Sequence, residues 1–130
     1  MAKIQRFEEI EAWQLAREAT KQVYALSSMG NFFRDYALKD QIRRSSVSIM
    51  GNIAEGFERE GNKEFINFLS IAKGSCAETR SHLYAALDQN YITDIQFQSA
   101  YDNLVETGRR IGGFMRYLRS TPMRGSKFQP

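Results

Sequence analysis

Few side chains in this sequence could act as nucleophiles, bases or metal ligands, so their spacing decides what chemistry is open. A thiol nucleophile needs an accessible, electropositive setting and a base within reach. Cys76, the single cysteine, falls instead in the middle of an apolar stripe made by Phe65, Phe68, Leu69, Ala72, Thr79, Leu83 and Leu87. There a cysteine behaves as a small hydrophobe. His82, the single histidine, lies on the flank of that stripe with Glu64, Ser75 and Glu78, and reads as a helix-surface residue. Two-metal carboxylate sites in helical bundles need Glu-x-x-His motifs on two helices. Here the acid upstream of His82 is Glu78, four positions away instead of three, and no second histidine exists. Zinc spacing is equally absent, and no glycine-rich loop has a phosphate-binding pattern. Neither catalysis, nor a metal, nor a cofactor is expected.

Anion binding is the chemistry that remains. The formal charge is only +3, but it is unevenly spread: no Asp or Glu follows Glu106. The same segment carries Arg109, Arg110, Arg116, Arg119, Arg124 and Lys127. Such a positive end attracts anionic partners, nucleic acid among them. Its competing reading is a solvated helix end, because cations suit the negative C-terminus of a helix.

A second polar group lies within "QIRRSSVSIMGNIAEGFERE", where Gln41, Arg44, Ser48, Asn52 and Glu55 share one side at helical spacing. On the following segment Glu64, Ser75, Glu78 and His82 share a face. An antiparallel turn near Gly61 sets Arg44 level with Glu78. The polar seam Arg44, Ser48, Asn52, Glu55, Ser75 and Glu78 is therefore expected between two helices, with an Arg44–Glu78 pair fixing register more than adding stability. Gly51 and Gly56 are expected to let those helices approach closely. Gly108 is expected to make room for a large side chain such as Trp13.

The elements that must position these residues are helical. Both prolines, Pro122 and Pro130, lie at the C-terminal end, so no ring interrupts the preceding chain. Apolar residues recur at helical period in four segments. The first runs from about Phe7 to Ser27, with Ala12, Ala16, Ala19, Val23 and Leu26 on one side, and Gly30 marks its stop. The second spans about Asp35 to Gly61. Its stripe of Leu38, Ile42, Ile49, Ile53 and Phe57 is broadened by Val47, Met50 and Ala54, wider than one bundle seam needs. The third runs from a cap at Asn62 to about Asp88. A fourth, capped by Thr93 or Asp94, carries Phe97, Tyr101, Leu104, Gly108, Ile111, Met115 and Leu118. Four helices of roughly 20 to 27 residues with short connections make an all-α, antiparallel up-down four-helix bundle. Residues 1–120 form that domain, and residues 121–130 form a flexible basic tail. No apolar run approaches the roughly 18 residues of a membrane span, no signal peptide is evident, and an unpaired cysteine suits a reducing cytoplasm.

"QIRRSSVSIMGNIAEGFERE", followed by "KEFINFLSIAKGSCAETRSHLYAALDQNYI", resembles the four-helix-bundle proteins encoded in intervening sequences of bacterial large-subunit ribosomal RNA genes. "FEEIEAWQLAREATKQVYAL" is similar to that family's first helix, and the resemblance covers about Phe7 to Leu118. Met50 and Gly51 stand where the family commonly has proline and a small or polar residue. The resemblance implies a cytoplasmic bacterial bundle that assembles as a homo-oligomer, a pentamer being favoured, with no catalytic residues. Together with the basic end it sets the leading expectation: a non-enzymatic oligomer that binds RNA or a ribonucleoprotein through repeated basic patches, multiplied by avidity. The alternative is a protein–protein scaffold or accessory factor with no nucleic-acid role.

Overall fold

The computed structural model describes residues 4–121, and every described element is helical. A single 3₁₀ turn, Phe7–Glu9, precedes α1 (Glu11–Leu26), α2 (Gly30–Arg34), α3 (Tyr36–Glu58), α4 (Gly61–Asp88) and α5 (Asp94–Ser120). The four long helices pack in chain order, α1 on α3, α3 on α4 and α4 on α5, and α5 closes back on α1. This is the antiparallel up-down bundle that the periodicity predicts. Arg124, Lys127 and the tail from residue 122 onward lie outside the described residues.

The core is the four apolar stripes turned inward. Ala16, Ala19 and Val23 of α1 meet Ile42, Ile49 and Ile53 of α3, Leu69, Ala72 and Leu83 of α4, and Leu104, Ile111 and Leu118 of α5. All twelve are buried. At roughly 1.5–3 kcal/mol for a fully buried large aliphatic side chain, this burial is the main force holding the helices together. The alanine-rich face of α1 keeps that helix close to its neighbours.

The helix ends show where sequence reasoning was incomplete. Chain after α1 does not simply stop at Gly30; it turns through Gly30 at φ +52° into the short helix α2. Tertiary burial explains this turn, because Phe32 is 1% exposed and stacks on Tyr91 at 5.4 Å. Asp35 then does two jobs. Its Oδ1 accepts from the Leu38 backbone N–H at 3.1 Å, capping α3, while Oδ2 accepts from the Tyr91 hydroxyl at 2.9 Å. That second bond ties the start of α3 to the α4–α5 loop, and it is the first cause of the raised Tyr91 pKa.

Asn62 was expected to cap α4, but the helix already begins at Gly61, whose φ of +79° turns the chain. The Asn62 amide reaches instead to the Leu118 carbonyl at 3.0 Å, fastening the end of α5. Of the two caps that the sequence offers, Thr93 and Asp94, it is Thr93 that caps α5, in a full capping box: its side chain accepts from Gln96 N–H while the Gln96 side chain accepts from Thr93 N–H.

Candidate nucleic-acid interface

Helix α4 is shared between two contrasting surfaces. Against α3 it makes a neutral ladder. Thr79 Oγ1 hydrogen-bonds Ser45 Oγ at 2.7 Å, and Ser75 Oγ donates to Ser48 Oγ at 3.0 Å. The Asn52 amide donates to Ser48 Oγ at 2.9 Å and to the Ser48 carbonyl at 2.8 Å. Three residues of the predicted seam, Ser48, Asn52 and Ser75, are therefore brought together. The other three are not. Arg44 is mostly exposed and pairs with Asp40 one turn earlier at 3.1 Å. Glu78 faces His82 at 3.4 Å, and Glu55 pairs with Arg59 at 2.8 Å. The predicted Arg44–Glu78 bridge is thus replaced by pairs within single helices, which keep their charges in water and avoid a desolvation cost. The buried link at that level is Ser45–Thr79, of which the sequence placed Thr79 on the apolar stripe and gave Ser45 no role in the seam.

Among the glycines the seam expectation holds at one position. A Cβ at Gly56 would stand 2.7 Å from Phe68 Cβ and 2.8 Å from Phe65 Cδ1, so the helices meet there only because no side chain intervenes. At Gly51 and Gly108 a Cβ would meet nothing within 4 Å. Neither position makes room for a neighbour. Trp13 packs edge-on against Phe7 at 5.3 Å.

Against α5, α4 makes an open cationic groove of about 450 Å³. Lys73 and Arg80 reach it from α4; Arg109, Arg110 and Arg116 reach it from α5, and Glu106 is the one carboxylate in its lining. Glu106 binds Arg109 at 2.8 Å and Arg110 at 2.7 Å. Arg110 is further paired with Glu11 of α1. The Arg110 hydrogen bond and the nearby Arg109 charge hold the Glu106 carboxyl below the usual glutamate range, against some desolvation. Reciprocally, Glu106 and Glu11 push the Arg110 pKa up. Lys73, Arg80 and Arg116 have no carboxylate partner among the described residues.

Arg80 is the most telling of these. Its Nε is buried with no hydrogen-bond partner among the described residues. Its Nη1 lies 3.5 Å from the Tyr101 hydroxyl, and the guanidinium carbon is 5.7 Å from the Tyr101 ring centre. A half-buried guanidinium held beside an aromatic ring, with one N–H unpartnered among the described residues, is a ready anion contact. Beneath the groove Cys76 is 1% exposed, and burial pushes its thiol up to about 12 despite a weaker opposing effect of Arg80. An inert core thiol fits that environment.

The model of the 23S rRNA-intervening sequence protein family matches residues 8–113 of this chain. The chain belongs to that family. Among solved structures, it is similar to a protein of unknown function from the S23 ribosomal protein family of Bacteroides thetaiotaomicron. The TM-score is 0.73 at 26% identity, over 81% of this chain and 98% of the other. No curated protein is matched.

In this 23S rRNA-intervening sequence protein the sequence-predicted cations divide. Arg109 and Arg110 are engaged by Glu106, Arg116 lines the groove, and Arg119 is exposed in the last turn of α5. Lys73 and Arg80 lie outside the sequence-predicted set, because acids stand among the cations of α4 whereas none follows Glu106. Their signal was present: they sit seven residues apart, two turns along one face of α4. Among the described residues no helix is long and apolar enough to cross a membrane.

Proposed function

We propose that this protein is a non-enzymatic, cytoplasmic RNA-binding bundle that works as a homo-oligomer. The observation that carries the reading is the concentration of cations from two helices on one side, where Lys73, Arg80, Arg109, Arg110 and Arg116 outnumber the single Glu106. Phosphate contacts of that kind position a nucleic acid without reading its sequence. Membership of the 23S rRNA-intervening sequence protein family makes structured ribosomal RNA, or a ribonucleoprotein that contains it, the partner to test first. Self-association is supported by the flank of α3, where Val47 is 44% exposed beside the half-buried Met50. Copies arranged in a ring, a pentamer in this reading, would multiply a modest patch into useful avidity.

The test is binding of ribosomal RNA fragments across a salt series, alongside the molar mass in solution. Affinity is expected to fall steeply with salt as counterions are released. A mass well above that of the 15.0 kDa chain is expected for the oligomer. Undetectable RNA binding at low salt leaves the second reading, a protein scaffold. That alternative draws on exposed apolar side chains away from the groove, such as Phe33 and Tyr36.

A further inference from the structure

The cationic groove does not end at its charges. Along α4, Lys73, Arg80 and Tyr84 follow one another at intervals of seven and four residues, and Tyr101, Arg109 and Arg116 run alongside on α5. From Lys73 to Tyr84 the strip spans about 16 Å at 1.5 Å per residue. Tyr84 is 49% exposed, yet its ring is held in place by Phe97 at 4.8 Å and by Tyr101, edge-on, at 5.6 Å. Arg80 bridges the aromatic end to the basic end through its contact with Tyr101. An ordered aromatic surface adjoining unpaired cations is the chemistry that holds single-stranded nucleic acid, with the charges tracking phosphates and the ring stacking a base.

We propose that the α4–α5 groove takes a short single-stranded segment of RNA, with phosphates on Lys73, Arg80 and Arg116 and a base stacked on Tyr84. This rests on the RNA-binding reading above and deepens it in two ways. It narrows the charged contact to Lys73, Arg80 and Arg116 and extends it beyond the groove lining to the Tyr84 ring. It also selects single strands over duplex, whose bases are stacked inside the helix and whose recognition runs through shape and 2′-hydroxyls. Arg109 and Arg110 are secondary contacts, because Glu106 already engages both and its charge repels phosphate at that point.

The experiment uses the full chain and a fluorescein-labelled oligouridylate, with a blunt RNA duplex and poly-glutamate as competitors, over a range of sodium chloride. Wild type is expected to prefer the single strand. Tyr84→Ala is expected to weaken binding about tenfold, the loss of one stacked base, with the salt slope unchanged. Lys73→Gln, at an exposed position that leaves the fold intact, is expected to lower the slope of log K against log salt by about 0.7, one single-strand phosphate contact. Arg119→Gln, outside the groove lining, is expected to have the smaller effect. If wild type binds no RNA, this inference and the functional reading fall together. If RNA binds but Tyr84→Ala and Lys73→Gln match wild type while Arg119→Gln weakens it, the groove assignment alone is wrong. Preference for the duplex also overturns it, as does poly-glutamate displacing RNA as effectively as unlabelled oligouridylate.

Discussion

The two sides of α4 use polar residues for opposite ends. Facing α3, Ser75 and Thr79 are small, neutral and fully partnered by Ser48 and Ser45 across the seam. Facing α5, Lys73 and Arg80 are long, charged and without a carboxylate partner among the described residues. Short hydroxyls satisfy one another at backbone-limited distance, so the first seam closes. Two sets of like charges cannot close on each other, so the second stays open. The contrast separates polar residues that close a packed seam from cations that line an open groove, on one helix, a few residues apart.

Substitutions that disturb the closed side should cost the most. Gly56→Leu forces a side chain into Phe65 and Phe68 and is expected to destabilise the fold by about 3 kcal/mol, the upper end of overpacking costs. A urea midpoint equal to that of wild type would show that the helices do not meet there. Thr79→Val keeps the shape but removes the hydroxyl that reaches Ser45 Oγ and the Ser75 carbonyl, leaving Ser45 only its bond to the Ile42 carbonyl, and is expected to cost about 1–2 kcal/mol in the same measurement. Thermal unfolding of the Ser45→Ala/Thr79→Val pair should recover part of that loss, since both partners are then gone.

On the open side stability and binding should separate. Arg80→Met removes a guanidinium with a buried, unpartnered Nε and fills similar space. It is expected to leave stability unchanged or raise it by up to about 1 kcal/mol, while RNA affinity falls. A variant that loses both together would erase the distinction between the two sides. Glu106→Gln acts in the other direction. The native Glu106 pKa is depressed, so its contribution to stability is present above the ordinary glutamate range and lost as pH falls through the native value. The variant is expected to flatten that acid limb slightly and to tighten RNA binding at neutral pH by freeing Arg109, while Arg110 keeps its pair with Glu11. Smallest of all, Arg44→Ala breaks only an exposed pair with Asp40. Its melting temperature is expected to match wild type, because such pairs contribute little.

Periodicity made the fold legible. The α1 stripe of Ala12, Ala16, Ala19, Val23 and Leu26 is the buried face that spacing indicates, and Thr93, one of the two caps that the sequence offers, opens α5. These are local properties: a period of 3.6 and a cap four residues long need no distant partner. The short helix α2 escaped notice because Phe32 is buried by Tyr91, 59 positions later in the sequence. The candidate site was half legible. Arg116 stood out by the lack of acids around it in the chain, whereas Lys73 and Arg80 sit in a segment of mixed charge.

By itself, then, the amino-acid sequence determined the four long helices, which face of each is apolar, and that no histidine–carboxylate or cysteine cluster has metal spacing. Pairing was decided in three dimensions. Arg44 had two acids within plausible reach, and only the packed helices show that it takes the one on its own helix in water. Glu106 meets Arg109 and Arg110 by helical spacing alone, three and four residues on, whereas the pairing of Arg110 with Glu11 of α1, 99 positions away, needed the fold. Ion pairs depend on distance and dielectric, which the order of residues does not contain. Hydrophobic periodicity depends on the order alone. Hence the bundle could be read from the chain, while the groove that gives it a candidate ligand required the fold.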